Sequence, residues 1–446
     1  MGDEPVDSRD GVLAGSSRTA RAARALRRGI APWVAGRAEH GFGFDRRWLT
    51  AWFALFAVYA AAMTVFGIGG EDGVWGIWAT GGYALAAILA ARSRGFAVPL
   101  LAAFGLAIVA PMIWLAVRDP ATADVIVVSR SAVLLLHHGS PYLPAARLAT
   151  WTSYNPYLPA MAVFGLPSAA GLPGLLGDPR PWLAAATLLL AALAFWIAAP
   201  HRALGCRACR AGAWWLAVFA VASPLLALPL SVGITDPPVT ALTCLALACV
   251  ARSRRMPVAA GLSIGVACAM KATAWPALAV IAALLAARDG PRTAARFAAA
   301  AVTTTVALVA ATAPALLTRP GALLQNTVLF PLGLARHKTP AASPLPGHVL
   351  ASFGHAGHLA AVGLLAAAGL AVAVSLVVRP PADVPAAARR LAAGLALLFA
   401  LAPAARFGYF AYPLALLAWS AMTRDDPPQD GWPGSGDVLA GARGVA

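Results

Sequence analysis

A few ionisable residues stand against apolar runs where their presence calls for a reason. Asp124 opens a stretch in which Val125, Val128, Ala132 and Leu135/Leu136 recur at helical spacing, with Arg130 inside it and His137-His138-Gly139 closing it. Asp236 heads a second apolar run, Lys271 ends a third, and Arg406 precedes an aromatic run holding Tyr409 and Tyr412. A positioned carboxylate can take a proton from an attacking hydroxyl. Fixed cations can hold the negative charge of a departing phosphate, a leaving group that needs no acid because it is stable as an anion. Glycoside hydrolysis usually requires two carboxylates working together.

Each of these residues also has a purely structural reading. Asp124 would serve as the cap of the helix that follows it, and Asp236 as the cap of a helix starting at Pro237. Lys271 and Arg406 would extend their charges to a membrane surface. Tyr142, Tyr154 and Tyr157 fit interfacial aromatics, His137 and His138 fit interfacial polar groups, and Asn155 sits between two of the tyrosines. His337, Lys338 and His348 belong to a later loop and either contact a substrate or are simply solvated.

The elements that must position these side chains are apolar helices. The chain is 60% hydrophobic and 12% charged over 446 residues, whereas soluble domains carry about 25% charged residues. Lipid is therefore expected to be its main solvent, and the fold class is an all-α polytopic membrane protein. Helices of roughly 20 apolar residues cross a bilayer, and about twelve candidates run through 48–68, 74–91, 96–117, 182–199, 213–230, 237–251, 257–270, 272–287, 295–318, 357–378, 391–404 and 407–422. Several are short and meet at Pro or Gly, as broken helices buried in protein do. The apolar segment 154–176 is interrupted by Pro156, Pro159, Pro167 and Pro173, and reads as re-entrant or interfacial.

The net charge of +16 does not point to nucleic acid, because the basic residues lie in short clusters between apolar runs. With the N-terminus inside, 25 of the 34 Lys and Arg residues fall on the cytoplasmic side, the distribution of the positive-inside rule. The expected organisation is a basic cytoplasmic tail over 1–47, a transmembrane domain over 48–422, and a cytoplasmic tail over 423–446. External loops run over 118–156 and 319–347, the first carrying an interfacial helix. A plasma-membrane location with both termini cytoplasmic follows. Cys206 and Cys209 form a CxxC in a basic loop with only His201 near, and read as incidental thiols. Neither a cofactor nor a metal centre is expected.

One set of residues resembles a known family. Asp124 with its helix, Ser140 before Pro141-Tyr142, and the run Tyr154-Asn155-Pro156-Tyr157-Leu158-Pro159 resemble the first external loop of family 87 glycosyltransferases. That family belongs to the GT-C superfamily, whose members use polyprenyl-phosphate sugars, and it includes mannosyltransferases that elongate phosphatidylinositol mannosides. The resemblance extends through Gly233-Ile234-Thr235-Asp236, a helix with Gly261 and Gly265 ending at Lys271 and Pro276, and the stretch Ala405-Arg406 to Tyr412-Pro413. The chain departs from the family pattern at Val128, at Asn155, and over Ser343 to His348.

The resemblance implies transfer of a sugar, mannose foremost, from a polyprenyl-phosphate donor to a lipid or cell-envelope glycan at the outer face. Asp124 would be the general base of an inverting reaction. Lys271, Arg406 and Arg130 would bind the donor phosphate. Tyr142, Asn155, Tyr157, Asp236, His337, Lys338 and His348 would be substrate contacts. The competing readings are a transporter or flippase of lipid-linked intermediates, which would need polar groups around a midplane site, and a non-catalytic protein on the same scaffold.

Overall fold

A computed structural model describes residues 46–67, 70–93, 95–118, 121–198, 217–317 and 320–422. The tails beyond these limits, Cys206, Cys209 and the cluster Arg202/Arg207/Arg210 lie outside the described residues. Among those described the chain is helical without strands, apart from a single parallel bridge between Ala342 and Ala405. The longer helices, of nine residues or more, are in chain order α1 (Arg46–Phe66), α2 (Glu71–Arg92), α3 (Ala97–Arg118), α4 (Ala123–His138), α5 (Pro179–Ala198), α6 (Pro224–Val232), α7 (Asp236–Arg252), α8 (Pro257–Met270), α9 (Trp275–Asp289), α10 (Pro291–Thr312), α11 (Gly354–Val378), α12 (Val384–Leu401) and α13 (Ala411–Met422).

Among the described residues, eight helices are long and apolar enough to cross a bilayer: α1, α2, α3, α5, α10, α11, α12, and α9 taken from Ala272. Their outward faces carry large apolar side chains such as Leu55, Val58, Leu189, Trp196, Leu370 and Val377. Water would not tolerate so much exposed apolar surface, and lipid does. The chain is thus a multi-pass α-helical membrane protein.

Against the twelve expected spans, four segments differ. Segments 237–251 and 257–270 form the 17-residue α7 and the 14-residue α8. Segment 407–422 splits into the 3-10 turn Phe407–Phe410 and the 12-residue α13. Segment 213–230 is described only from residue 217. Helix α12 starts at Val384, seven residues before the expected 391, because Asp383 caps it by accepting the Ala386 N–H at 2.6 Å. Arg389 and Arg390 therefore lie within the helix, not in the loop before it. In 154–176 the prolines give a 7-residue 3-10 helix, Pro159–Gly165, and one α-turn, Leu166–Ala169. At ~2.0 Å per 3-10 residue this is far shorter than a bilayer core.

The chain divides into two compact units, one comprising residues to Pro111 plus His201–Leu228, the other Met112–Pro200 plus the rest from Pro229. In the first, α1 buries Leu49, Phe53, Phe56 and Ala60 along one stripe. Phe53 and Phe56 pack with Tyr83 and Phe219, and the Tyr83 hydroxyl donates to the Ala222 carbonyl at 2.6 Å.

In the second unit α7 is the central helix, buried from Asp236 to Val250. Helices α8 and α10 approach closely because Gly261 and Gly265 present no side chain. A Cβ there would stand 2.4 Å from the Phe297 carbonyl oxygen and 2.6 Å from that of Ala301. Such small-residue seams are how apolar helices gain contact where lipid supplies no hydrophobic drive. α8 stops at Lys271, whose extended backbone turns the chain through Ala272–Ala274 into α9. The two loops 118–156 and 319–347 meet: Tyr154 stacks on Phe330 at 4.3 Å, and Asn326 accepts the Asn155 N–H at 2.8 Å.

Candidate active site

Gly233 sets the site's geometry. Its φ of +82° suits glycine, and a Cβ would lie 2.7 Å from both Arg180 Cγ and Val125 Cγ2. The turn between α6 and α7 can therefore slip between α4 and α5 and deliver Thr235 and Asp236 at the start of α7. Thr122 fastens α4 to this turn, its hydroxyl donating to the Val232 carbonyl at 3.2 Å. The same hydroxyl accepts the Val125 N–H and caps α4.

Asp124 is consequently not the cap, contrary to its structural reading. Its Oδ2 accepts two bonds from Thr235, one from the backbone N–H and one from the hydroxyl, each 3.2 Å. The carboxylate remains partly exposed. Asp236 does not cap α7 through its side chain either. Its Oδ1 forms an ion pair with Lys271 Nζ and accepts the Tyr412 hydroxyl at 2.8 Å. The Tyr412 hydroxyl also lies 3.1 Å from Thr273 Oγ1.

Lys271 sits at the centre. Beyond Asp236 it donates to Thr235 Oγ1 at 3.3 Å, and its ammonium faces the rings of Tyr157 at 5.3 Å and Tyr409 at 5.7 Å. Those distances suit cation–π attraction. Thr235, fully buried, therefore links the Asp124 carboxylate to the Lys271–Asp236 pair through one hydroxyl. An ammonium has three donors, so Lys271 keeps one beyond these two bonds. Tyr157 also lies beside Asp124, and Arg406, which is exposed, neighbours Tyr409 at the edge of the cluster. Formal charges of Asp124, Asp236 and Lys271 sum to −1, so an anion would rely on Arg406 as well.

Other sequence candidates support the site without entering it. The Leu158 N–H donates to the Met270 carbonyl at 2.9 Å and sets Tyr157 against Lys271. The Tyr142 hydroxyl donates to the Tyr157 carbonyl at 2.8 Å, and burial pushes its pKa up, so it stays a protonated donor. Asn155 gives its amide to Ser131 and Pro141 and accepts the Tyr157 N–H at 3.0 Å. Both residues shape the loop.

Arg130, expected among the groups that bind the donor phosphate, is engaged by the loop that follows α4. Its guanidinium donates to the carbonyls of Thr152, Ser153 and Tyr154 at 2.5, 3.2 and 3.2 Å. Burial lowers its pKa from the ordinary arginine value, and the side chain acts as a loop staple. His337 packs edge-on to Tyr154 at 6.3 Å, and Lys338 is exposed in the same loop. His348 Nδ1 lies 2.9 Å from the Pro403 carbonyl oxygen. Ser343, in the stretch that departs from the family pattern, binds both sides of Arg406: its N–H donates to the Ala405 carbonyl, and its Oγ accepts the Phe407 N–H.

The participants to which the sequence reading gave no role are Thr235, Tyr412, Thr273 and Arg180. Thr235 was visible only as filler inside the Gly233–Asp236 motif. Arg180 is 1% exposed and paired with Asp178 at 2.7 Å, yet in sequence it looks like any basic residue at a helix start. Comparison with known proteins adds no further constraint, as no protein-family model, curated protein or solved structure matches the chain.

Proposed function

We propose that the protein is a membrane glycosyltransferase of GT-C type that moves a sugar, mannose foremost, from a polyprenyl-phosphate donor to a lipid or cell-envelope glycan. The observation that carries this reading is a partly exposed Asp124 released from helix capping and held by Thr235 beside the Lys271–Asp236–Tyr412 cluster. In the proposed reaction the acceptor oxygen attacks the anomeric carbon while Asp124 takes its proton. The bond to the phosphate oxygen breaks and the lipid phosphate leaves with the electron pair. Arg406 and the remaining N–H of Lys271 stabilise that charge. Attack opposite the leaving group inverts the anomeric centre.

The outer face is the proposed location. The site lies at the N-terminus of α7 and the C-terminus of α8, whereas Arg252, Arg254 and Arg255 lie at their opposite ends. The 17 residues of α7 separate the two by about 25 Å. With the basic end cytoplasmic, the carboxylates face outward in the plasma membrane, and both termini are cytoplasmic. Cysteines placed singly at 254 and 340 in a cysteine-free background test this. Impermeant reagent added outside should label position 340 alone, and labelling at 254 but not 340 would refute the orientation.

Lipid and glycan profiles of a deletion strain against its parent test the activity itself. The deletion should lack one sugar residue on a lipid or envelope glycan and regain it with the intact gene. Build-up of donor confined to the inner leaflet would instead favour a flippase.

A further inference from the structure

Helices α11 and α12 flank an open groove of about 490 Å³ lined by Ala371, Val374, Ser375, Val378, Arg379 and Arg390. Its walls are apolar and face the surroundings of α11, where Leu370, Val374 and Val378 are all more than half exposed. The mouth is cationic. Arg390 is fixed across the end of α11, its guanidinium donating to Ser375 Oγ at 2.8 Å and to the carbonyls of Ser375 and Arg379 at 3.3 Å each. Arg379 is exposed at the same end. The nearby Asp383 carboxylate already accepts the Ala386 N–H, and among the described residues no acidic side chain lines the groove.

We propose that this groove binds an anionic phospholipid, with an acyl chain along Val374 and Val378 and the headgroup phosphate against Arg379 and Arg390. Charge complementarity selects the ligand: two guanidinium groups meet an apolar channel, matching a phosphodiester joined to a hydrocarbon tail. The Arg379 end is also the end that positive-inside charge puts at the cytoplasmic leaflet, where anionic lipids concentrate. Arg390 is held in place before any ligand arrives, so little of its freedom is lost on binding. This site is separate from the transferase reading and stands or falls without it.

Native mass spectrometry of the full-length protein, purified with equal phosphatidylglycerol and phosphatidylcholine, tests the proposal. The wild type should retain phosphatidylglycerol over phosphatidylcholine. Arg379→Gln, at an exposed position, should lower that retention about fivefold, the scale of one arginine near a lipid surface. Val374→Trp fills the groove without altering charge, and should lower retention to a similar degree. Equal retention of the two lipids, or unchanged phosphatidylglycerol in either variant, overturns the site. Displacement of the lipid by millimolar inorganic phosphate would show a free-anion site and overturn the lipid assignment.

Discussion

Membranes containing Asp124→Asn are expected to transfer sugar from a polyprenyl-phosphate donor at least about a hundredfold more slowly than wild type, the scale of losing a positioned base. The change isolates proton acceptance. Thr122 caps α4, so no cap is lost. The Asn carbonyl can accept the same two bonds from Thr235 that Oδ2 accepts now. Thermal unfolding in detergent should stay within the few tenths of a kcal/mol usual for a substitution that preserves contacts, about 0.5 at most. Donor binding should persist, since the cations are untouched. Near-normal transfer by the Asn variant would end the base assignment, and lost expression would mean that the carboxylate is structural.

The second large effect concerns the pair at the centre of the site. Read from sequence, Lys271 is a cation reaching a membrane surface or a donor phosphate, and its replacement by Met would remove that charge without harming insertion. The structure changes that expectation, because the ammonium is paired with Asp236 and both side chains are shielded, 13% and 11% exposed. Removing one partner of such a pair leaves an uncompensated charge and costs about 3–5 kcal/mol. Lys271→Met and Asp236→Asn should each destabilise strongly in reversible denaturant titrations. The double variant should lose less than the sum, with a coupling energy on the order of 2 kcal/mol. Additive losses within about 0.5 kcal/mol would show the two groups to be energetically independent. A change in donor use by Lys271→Met alone therefore mixes stability with phosphate binding. Arg406→Met is the cleaner probe of the anion, because Arg406 is exposed.

Much of the architecture was legible in the residues. A chain with so few charges cannot cover itself in water, and of the about twelve apolar runs read as spans, eight coincide with helices long enough for a bilayer among the described residues. The helix over 124–136 was visible in its 3.6-residue spacing and is observed as Ala123–His138, ending at Gly139 with φ of +64°. These features depend on local composition and on the backbone's need to bond to itself in lipid. The start of α12 was also written locally, in Asp383 and Pro385, but the apolar pattern beginning at Leu391 hid it.

What tertiary structure alone decided is which polar groups face one another. Asp124 and Thr235 are 111 residues apart, Lys271 and Asp236 are 35 apart, and Tyr412 meets Asp236 from 176 residues away. No local pattern encodes such pairings. Arg130, Lys271 and Arg406 are alike in sequence, each a lone cation beside apolar residues. Packing gave the first to three loop carbonyls, paired the second with a carboxylate, and left the third exposed. The physical reason is that a shielded charge must find a partner, and the partner available depends on where distant helices end.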